Sequence, residues 1–239
     1  MLSKLHLDHI LFLDIETVPQ HAHYNALDAG TQELWEQKTR YQRKEGQSAE
    51  AFYDRAGIWA EFGKIICISV GHFQMLEHRR KFRVSTFYGE EFALLKAFKK
   101  MVERHFGSPK HLLCAHNGKE FDFPYIARRM VIHGIPLPHA LELFGKKPWE
   151  VAHLDTLELW KFGDYKHYTS LKLLAHVLDI PSPKVDLDGS MVRDVYYGEN
   201  NIKRIVDYCE LDVITTAQVL LRLRYEALLD EGEVERVTP

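Results

Sequence analysis

Asp14 and Glu16 stand two residues apart inside Leu11–Phe12–Leu13–Asp14–Ile15–Glu16–Thr17, and Pro19 closes the run. Residues i and i+2 of a strand project to the same side, so the two carboxylates share a face. Phe12, Leu13 and Ile15 are the residues of a strand buried on both faces. Two carboxylates side by side there repel each other and resist losing water. A divalent cation with a taste for oxygen ligands, magnesium or manganese, relieves both problems. The competing reading is a pair of strand-end acids that face water.

Two further acids have a placement worth noting. Asp122 follows the short apolar run His111–Ala115 and the turn His116–Asn117–Gly118, where Phe121–Asp122–Phe123–Pro124 opens a helix. Pro124 suits a first helical turn and Gly134 a stop, so Asp122 lies at the positive end of the helix dipole. An acid in a first turn is also common in any helix. Asp212 lies on a helix expected over about 201–229, whose stripe is Ile205, Cys209, Val213, Thr216, Leu220 and Leu223. Tyr208 precedes it by one turn on the same face. A carboxylate on the core side of a helix needs something to neutralise it. Taken alone, Asp212 reads first as a rim acid bonded to a neighbour.

The elements that must hold these residues follow an α/β order. Strands are expected near 10–17, 64–72, 82–88, 111–115 and 153–156, with His78–Arg79–Arg80–Lys81 turning a hairpin. Helices are expected over 90–105, after 121, over 170–178 and over 201–229. His21 to about Gly63 differs in character: Trp35, Phe52, Tyr53 and Trp59 sit among charged residues, which predicts helices near 30–44 and 48–60. So long an excursion between strands is a lid-like insertion or a small helical subdomain. Pro181 to Gly189 reads as a loop, and the tail from Asp230 as disordered.

The 239 residues are 46% hydrophobic and 27% charged, the balance of a water-soluble globular chain of one large domain, 1–239, with an insertion at about 21–63. A net charge of −3 gives no basic field, so a polyanion would need a local patch or bound cations. The N-terminal residues lack a signal-peptide core and no apolar run approaches membrane-spanning length. Cys67, Cys114 and Cys209 are widely spaced among apolar neighbours and fit buried thiols of a reducing, cytoplasmic compartment.

Phe12–x–Asp14–Ile15–Glu16–Thr17, Asn117–Gly118–x–x–Phe121–Asp122–Phe123–Pro124–Tyr125 and Tyr208–Cys209–x–x–Asp212 occur in that order. Together they resemble the three motifs of the DEDD 3′–5′ exonuclease superfamily, tyrosine variant, and look most like the proofreading domain of family B DNA polymerases. The resemblance runs from Phe12 to about Leu221. It implies an RNase H-like fold, a mixed five-stranded sheet flanked by helices, here with a helical insertion after the first strand. No palm, fingers or thumb sequence follows, so the expectation is a stand-alone nuclease. Asp14, Glu16, Asp122 and Asp212 would hold two Mg2+ or Mn2+ ions. Asp14, Glu16 and Asp212 would share one ion, and Asp14 the other, with Asp122 reaching it through water. Tyr208 would orient the attacking water. Thr17 and Asn117 would touch the terminal nucleotide. Phe123 is either a stacking face for a base or a core residue. The partner implied is a single-stranded 3′ end, DNA ahead of RNA. An exoribonuclease and a non-catalytic 3′-end-binding module are the alternatives. Asp155 is a fifth acid, with no role assigned from sequence.

Overall fold

The computed structural model describes residues 2–77, 79–164, 168–181 and 187–239. His78 of the expected turn and 182–186 of the expected loop lie outside the described residues.

β1 (Ile10–Pro19) is the centre of the molecule. It pairs antiparallel with β2 (Gly63–Leu76) and parallel with β4 (Leu112–Ala115). β3 (Arg79–Tyr88) extends the sheet beyond β2, and β5 (Leu154–Asp155) beyond β4. The sheet has six strands, in the order β5-β4-β1-β2-β3-β6, one more than expected. The extra strand, β6 (Val234–Arg236), comes from the tail expected to be disordered. It pairs parallel with β3, and charge holds it there: Glu233 takes Arg80, and Arg236 donates to Glu210. Arg79, Arg80 and Lys81, expected in the turn, already belong to β3, paired with Leu76, Met75 and Gln74.

Strand alternation sorts β1 onto two helical layers. Leu11, Leu13 and Ile15 pack with Leu95 and Phe98 of α3 (Glu91–His105) and Ile126 and Met130 of α4 (Asp122–Ile132). On the opposite face lies a helix of 22 residues, α8 (Ile202–Leu223). There Phe12 joins Val213, Ala217 and Leu220, while Val18 joins Ile205, Val206 and Cys209. Between these two apolar patches the face carries Asp14 and Glu16. The antiparallel register slips beside Glu16, which pairs with Cys67 while Thr17 pairs with Ile65, leaving Ile66 as the bulged residue.

The helical stretch between β1 and β2 has its own aromatic core. α1 (Ala29–Thr39) and α2 (Ala49–Phe52) are capped by Asp28 and Ser48, and α2 continues as a 3-10 turn over Tyr53–Ile58. Trp35 is surrounded by Phe52, Tyr53, Trp59 and Phe62. The 3-10 turn lies directly on the end of β1. A Cβ on Gly57 would stand 3.0 Å from the Val18 carbonyl carbon, and the Gly57 carbonyl accepts from Thr17 Oγ1 and the Tyr125 hydroxyl, both at 2.8 Å.

The remaining helices are α5 (Thr156–Lys161), α6 (Leu171–Val177) and α7 (Val192–Asp194). α7 runs into a π turn over Val195–Glu199.

α4 is fixed by a buried ion pair. Arg129 donates from Nε (2.8 Å) and from one terminal nitrogen (2.6 Å) to the two oxygens of Glu91 on α3, and from the other to the Ala60 carbonyl. Glu91 also accepts the Ile65 N–H of β2 and a contact from His133. Removing one partner leaves the other charge buried and unpaired. Arg129→Met should therefore cost about 3–5 kcal/mol in urea unfolding. The pair Arg129→Met with Glu91→Leu should lose clearly less than the sum of the single changes. A single change costing under about 1 kcal/mol would mean that the pair does not hold α4.

Candidate active site

β4 separates from β1 after Cys114, and the acids gather where it leaves. The β1–β4 ladder stops at Phe12 and Cys114. Beyond it, the Ile15 N–H donates to Asp122 Oδ1 at 3.2 Å. The first residue of α4 thus takes the place of the missing strand and accepts the N–H of the residue that separates Asp14 from Glu16. From the other face α8 brings Tyr208, Cys209 and Asp212. Cys209 Sγ lies 3.2 Å from Asp14 Oδ2, and the Tyr208 hydroxyl shares a hydrogen bond with Asp212. α8 is registered by a polar chain through the sheet: Ser69 bonds Thr86, which donates to Glu210, which accepts Arg236.

So the structure brings Asp14, Glu16, Asp122, Tyr208 and Asp212 together. Asp14, Tyr208 and Asp212 line a cleft of about 450 Å³ with His116, Tyr168 and Lys172; Glu16 and Asp122 lie deeper. A larger, apolar cavity of about 580 Å³ lies against α4, lined by Pro124, Ala127, Val131, Leu141 and Phe144. None of the acids lines it.

The three residues expected near the terminal nucleotide sit as follows. Thr17 is an odd number of residues from both Asp14 and Glu16, so its side chain points to the opposite sheet face, where its hydroxyl is spent on Gly57. Phe123 is fully buried in the α4 layer, its ring centroid 5.3 Å from that of His153, and offers no face to a base. Asn117 sits in the left-handed region (φ 64°) with its N–H on Asp155, and the neighbouring His116 is the one that lines the cleft.

Asp155 now has a role. Its Oδ1 accepts the N–H groups of Asn117, Leu157 and Glu158, and its Oδ2 that of Lys119. It caps α5 and fixes the turn that leads to Asp122. Sequence reasoning also missed His116 and Cys209 as neighbours of the acids. A Ser, Thr, Asp or Asn before an apolar helical run is a cap signal that could have found Asp155. Nothing local marks the other two.

The electrostatics are those of acids without a counter-charge. Burial, then the neighbouring carboxylates, raises Asp14 and Glu16 well above the usual carboxylate range. Burial is also the largest cause that lifts Asp122 to about 7 and Asp212 to about 6. Among the described residues no Lys or Arg forms an ion pair with these four acids. The ligand atoms of Asp14, Glu16 and Cys209 all lie within 4.8 Å of one another. Buried, mutually repelling oxygen donors of this kind fit a hard divalent cation.

A family model described as "Predicted 3'-5' exonuclease related to the exonuclease domain of PolB" matches residues 58–237. The chain belongs to this family. Among solved structures it is similar to the family B DNA polymerase from the hyperthermophilic archaeon Pyrobaculum calidifontis. The TM-score is 0.54 and the identity 17%, over 89% of this chain and 24% of the polymerase chain. That likeness establishes the RNase H-like fold, and the chain spans about a quarter of the polymerase's length. No curated protein matches the chain. None of the described helices is long and apolar enough to cross a membrane.

The raised carboxyls set the sign of a pH effect. A folded-state pKa above the unfolded one means that the native protein keeps protons the unfolded chain gives up near pH 4. Their stabilising effect is full below about pH 4 and is lost as pH rises through about 6–7. In chelator, Asp212→Asn should therefore lose about 1–3 kcal/mol less than the unchanged protein between pH 5 and pH 8. Parallel thermal-melting profiles for the two proteins would mean that Asp212 carries no such strain.

Proposed function

We propose that this chain is a metal-dependent 3′–5′ exonuclease that hydrolyses phosphodiester bonds at the ends of single-stranded nucleic acid. In this reading 1–239 acts as one exonuclease domain, with 21–63 as its helical insertion. The observation that carries the reading is the convergence of four acids from β1, α4 and α8, two lining the cleft and two buried behind it, with no ion pair to a Lys or Arg among the described residues. Membership of a family of predicted 3′–5′ exonucleases points the same way. DNA is proposed ahead of RNA because the motifs resemble a DNA proofreading domain.

Asp14, Glu16, Asp122 and Asp212 would hold two Mg2+ or Mn2+ ions. Such ions supply a nucleophile at neutral pH and neutralise charge on the attacked phosphate. The chain's own contributions are positional. Asp14 reaches furthest into the cleft from β1, and Asp212 faces it from α8. Asp122 is held by the Ile15 N–H, so its carboxyl keeps its orientation when the acids ionise. Burial and the three nearby acids push the Tyr208 phenol far above its ordinary value, so it stays protonated at neutral pH. With its one proton engaged in the hydrogen bond to Asp212, the phenol oxygen accepts from an attacking water and so orients it; it does not remove the proton.

Two measurements test this. A 5′-labelled single strand should shorten stepwise from its 3′ end only when magnesium or manganese is present. A closed circular strand should stay intact, and DNA should be cut faster than RNA. Cutting of the circle would make the protein an endonuclease. Tyr208→Phe should slow single-turnover cleavage by about one to three orders of magnitude, the range for one positioned polar group, with metal affinity nearly unchanged. If Tyr208→Phe cleaves at the unchanged rate and shifts only the melting temperature, the hydroxyl is structural.

A further inference from the structure

The cleft has a second wall that the four acids and Tyr208 do not account for. It runs from Tyr168 through the start of α6 and includes Ser170, Leu171 and Lys172. Its backbone is fixed by His116 on the loop after β4. The Nε2–H of His116 donates to the Thr169 carbonyl at 2.9 Å, which leaves Nδ1 to accept from Thr156 Oγ1, also at 2.9 Å. Burial holds this imidazole's pKa below its ordinary value, in keeping with the neutral tautomer. Ser170 then caps α6 by accepting the Leu173 N–H. Tyr168 is therefore the residue just before a pinned point, and its side chain is not there to fill a core. It is 68% exposed, yet it lines the cleft. Burial and the charges of Asp122 and Asp155 raise its phenol above the ordinary value. Lys172 lines the same cleft and forms no ion pair among the described residues. Asp188, the acid on this side, is engaged by the N–H and hydroxyl of Ser190.

We propose that Tyr168 and Lys172 clamp the terminal nucleotide of a single strand, the tyrosine ring stacking on its base and the lysine ammonium taking a phosphate. The proposal rests on the exonuclease reading and names how that site holds its substrate. The physical argument is a division of labour. The acids on the floor repel a phosphodiester, so a strand needs a cation fixed by the protein as well as the bound metals. Stacking is tolerant of sequence because every base has a π face, which suits an enzyme that removes nucleotides one after another. A cleft of about 450 Å³ lies within the range of small-ligand sites and accepts one nucleotide. Phe123, the aromatic of the motif, is buried and cannot do this, whereas Tyr168 is open.

Binding of a 5′-fluorescein-labelled ten-nucleotide DNA, followed by anisotropy with calcium in place of magnesium, tests the clamp without cleavage. Tyr168→Ala should weaken binding about 5- to 150-fold, and Tyr168→Phe less than about 2-fold. On the same strand with an abasic 3′-terminal position, the Tyr168→Ala effect should vanish, because the base it stacks on is gone. Lys172→Ala should flatten the dependence of log K on log salt by about 0.7, one phosphate contact on a single strand. Melting temperatures check that these exposed substitutions leave the fold intact. Unchanged binding by Tyr168→Ala, or a loss that persists on the abasic strand, overturns the clamp while leaving the exonuclease reading standing. If the unsubstituted protein neither binds nor shortens any strand, the exonuclease reading itself falls.

Discussion

Four carboxylates that repel one another, set in the interior at the end of a central strand, are the constraint on which the rest of this fold depends. Asp14 and Glu16 interrupt what would otherwise be a continuous apolar contact between β1 and α8. The cost of that interruption is borne by the patches on either side of it. Phe12 packs with Val213 and Leu220, and Val18 with Ile205 and Cys209, so α8 is clamped at both ends of the acidic gap. The Ser69–Thr86–Glu210–Arg236 chain fixes its height over the sheet. On the opposite face the Arg129–Glu91 pair does the same for α4, and so for Asp122. The two helices that deliver acids are thus each held by a buried polar network and an apolar contact. Carboxylates left to themselves would move apart.

Much of this was legible in the chain, for a reason that can be stated per residue. Apolar runs of β-branched residues marked β1, β2 and β3, and the period of α8 was clear because its buried side is one uninterrupted stripe. The acid motifs were legible because Asp14 and Glu16 share a strand face and Tyr208 and Asp212 a helix face by local geometry alone. β6 was not, because Val234–Arg236 is short and charged, and its pairing depends on Arg80 and Glu210, far away in sequence. Arg79–Lys81 looked like a turn for the same reason: their charge is useful in β3 only because Glu233 and Glu235 return to meet it.

Thr17 and Phe123 stand in the acid motifs without lining the cleft, and Phe123 takes the core position that its motif also allowed. Thr17 follows Glu16 directly, and the pleat that puts the two acids together puts their immediate neighbour on the far face. Phe123 follows Asp122 on a helix whose first turn carries the acid inward, and its own ring falls into the core beside His153. Asp155 is the converse case. No role was assigned to it from sequence, and its oxygens accept four backbone N–H groups, which is the work of a cap and a loop clamp.

The arrangement also ties site formation to completion of the fold. Asp14 and Cys209 are in contact across 195 residues, and Arg80 and Glu233 across 153. The acid-bearing segments touch directly, Ile15 with Asp122 and Asp14 with Cys209, but they lie 107 and 195 residues apart in the chain, so no local element brings two of them together. Contacts of such long sequence separation are the slow ones to form, because loop-closure entropy is met before their energy is gained. An unfinished chain therefore carries its acids apart, each solvated and without a cleft. The acids close on one another only with α8 in place, and it is there that their mutual repulsion is greatest.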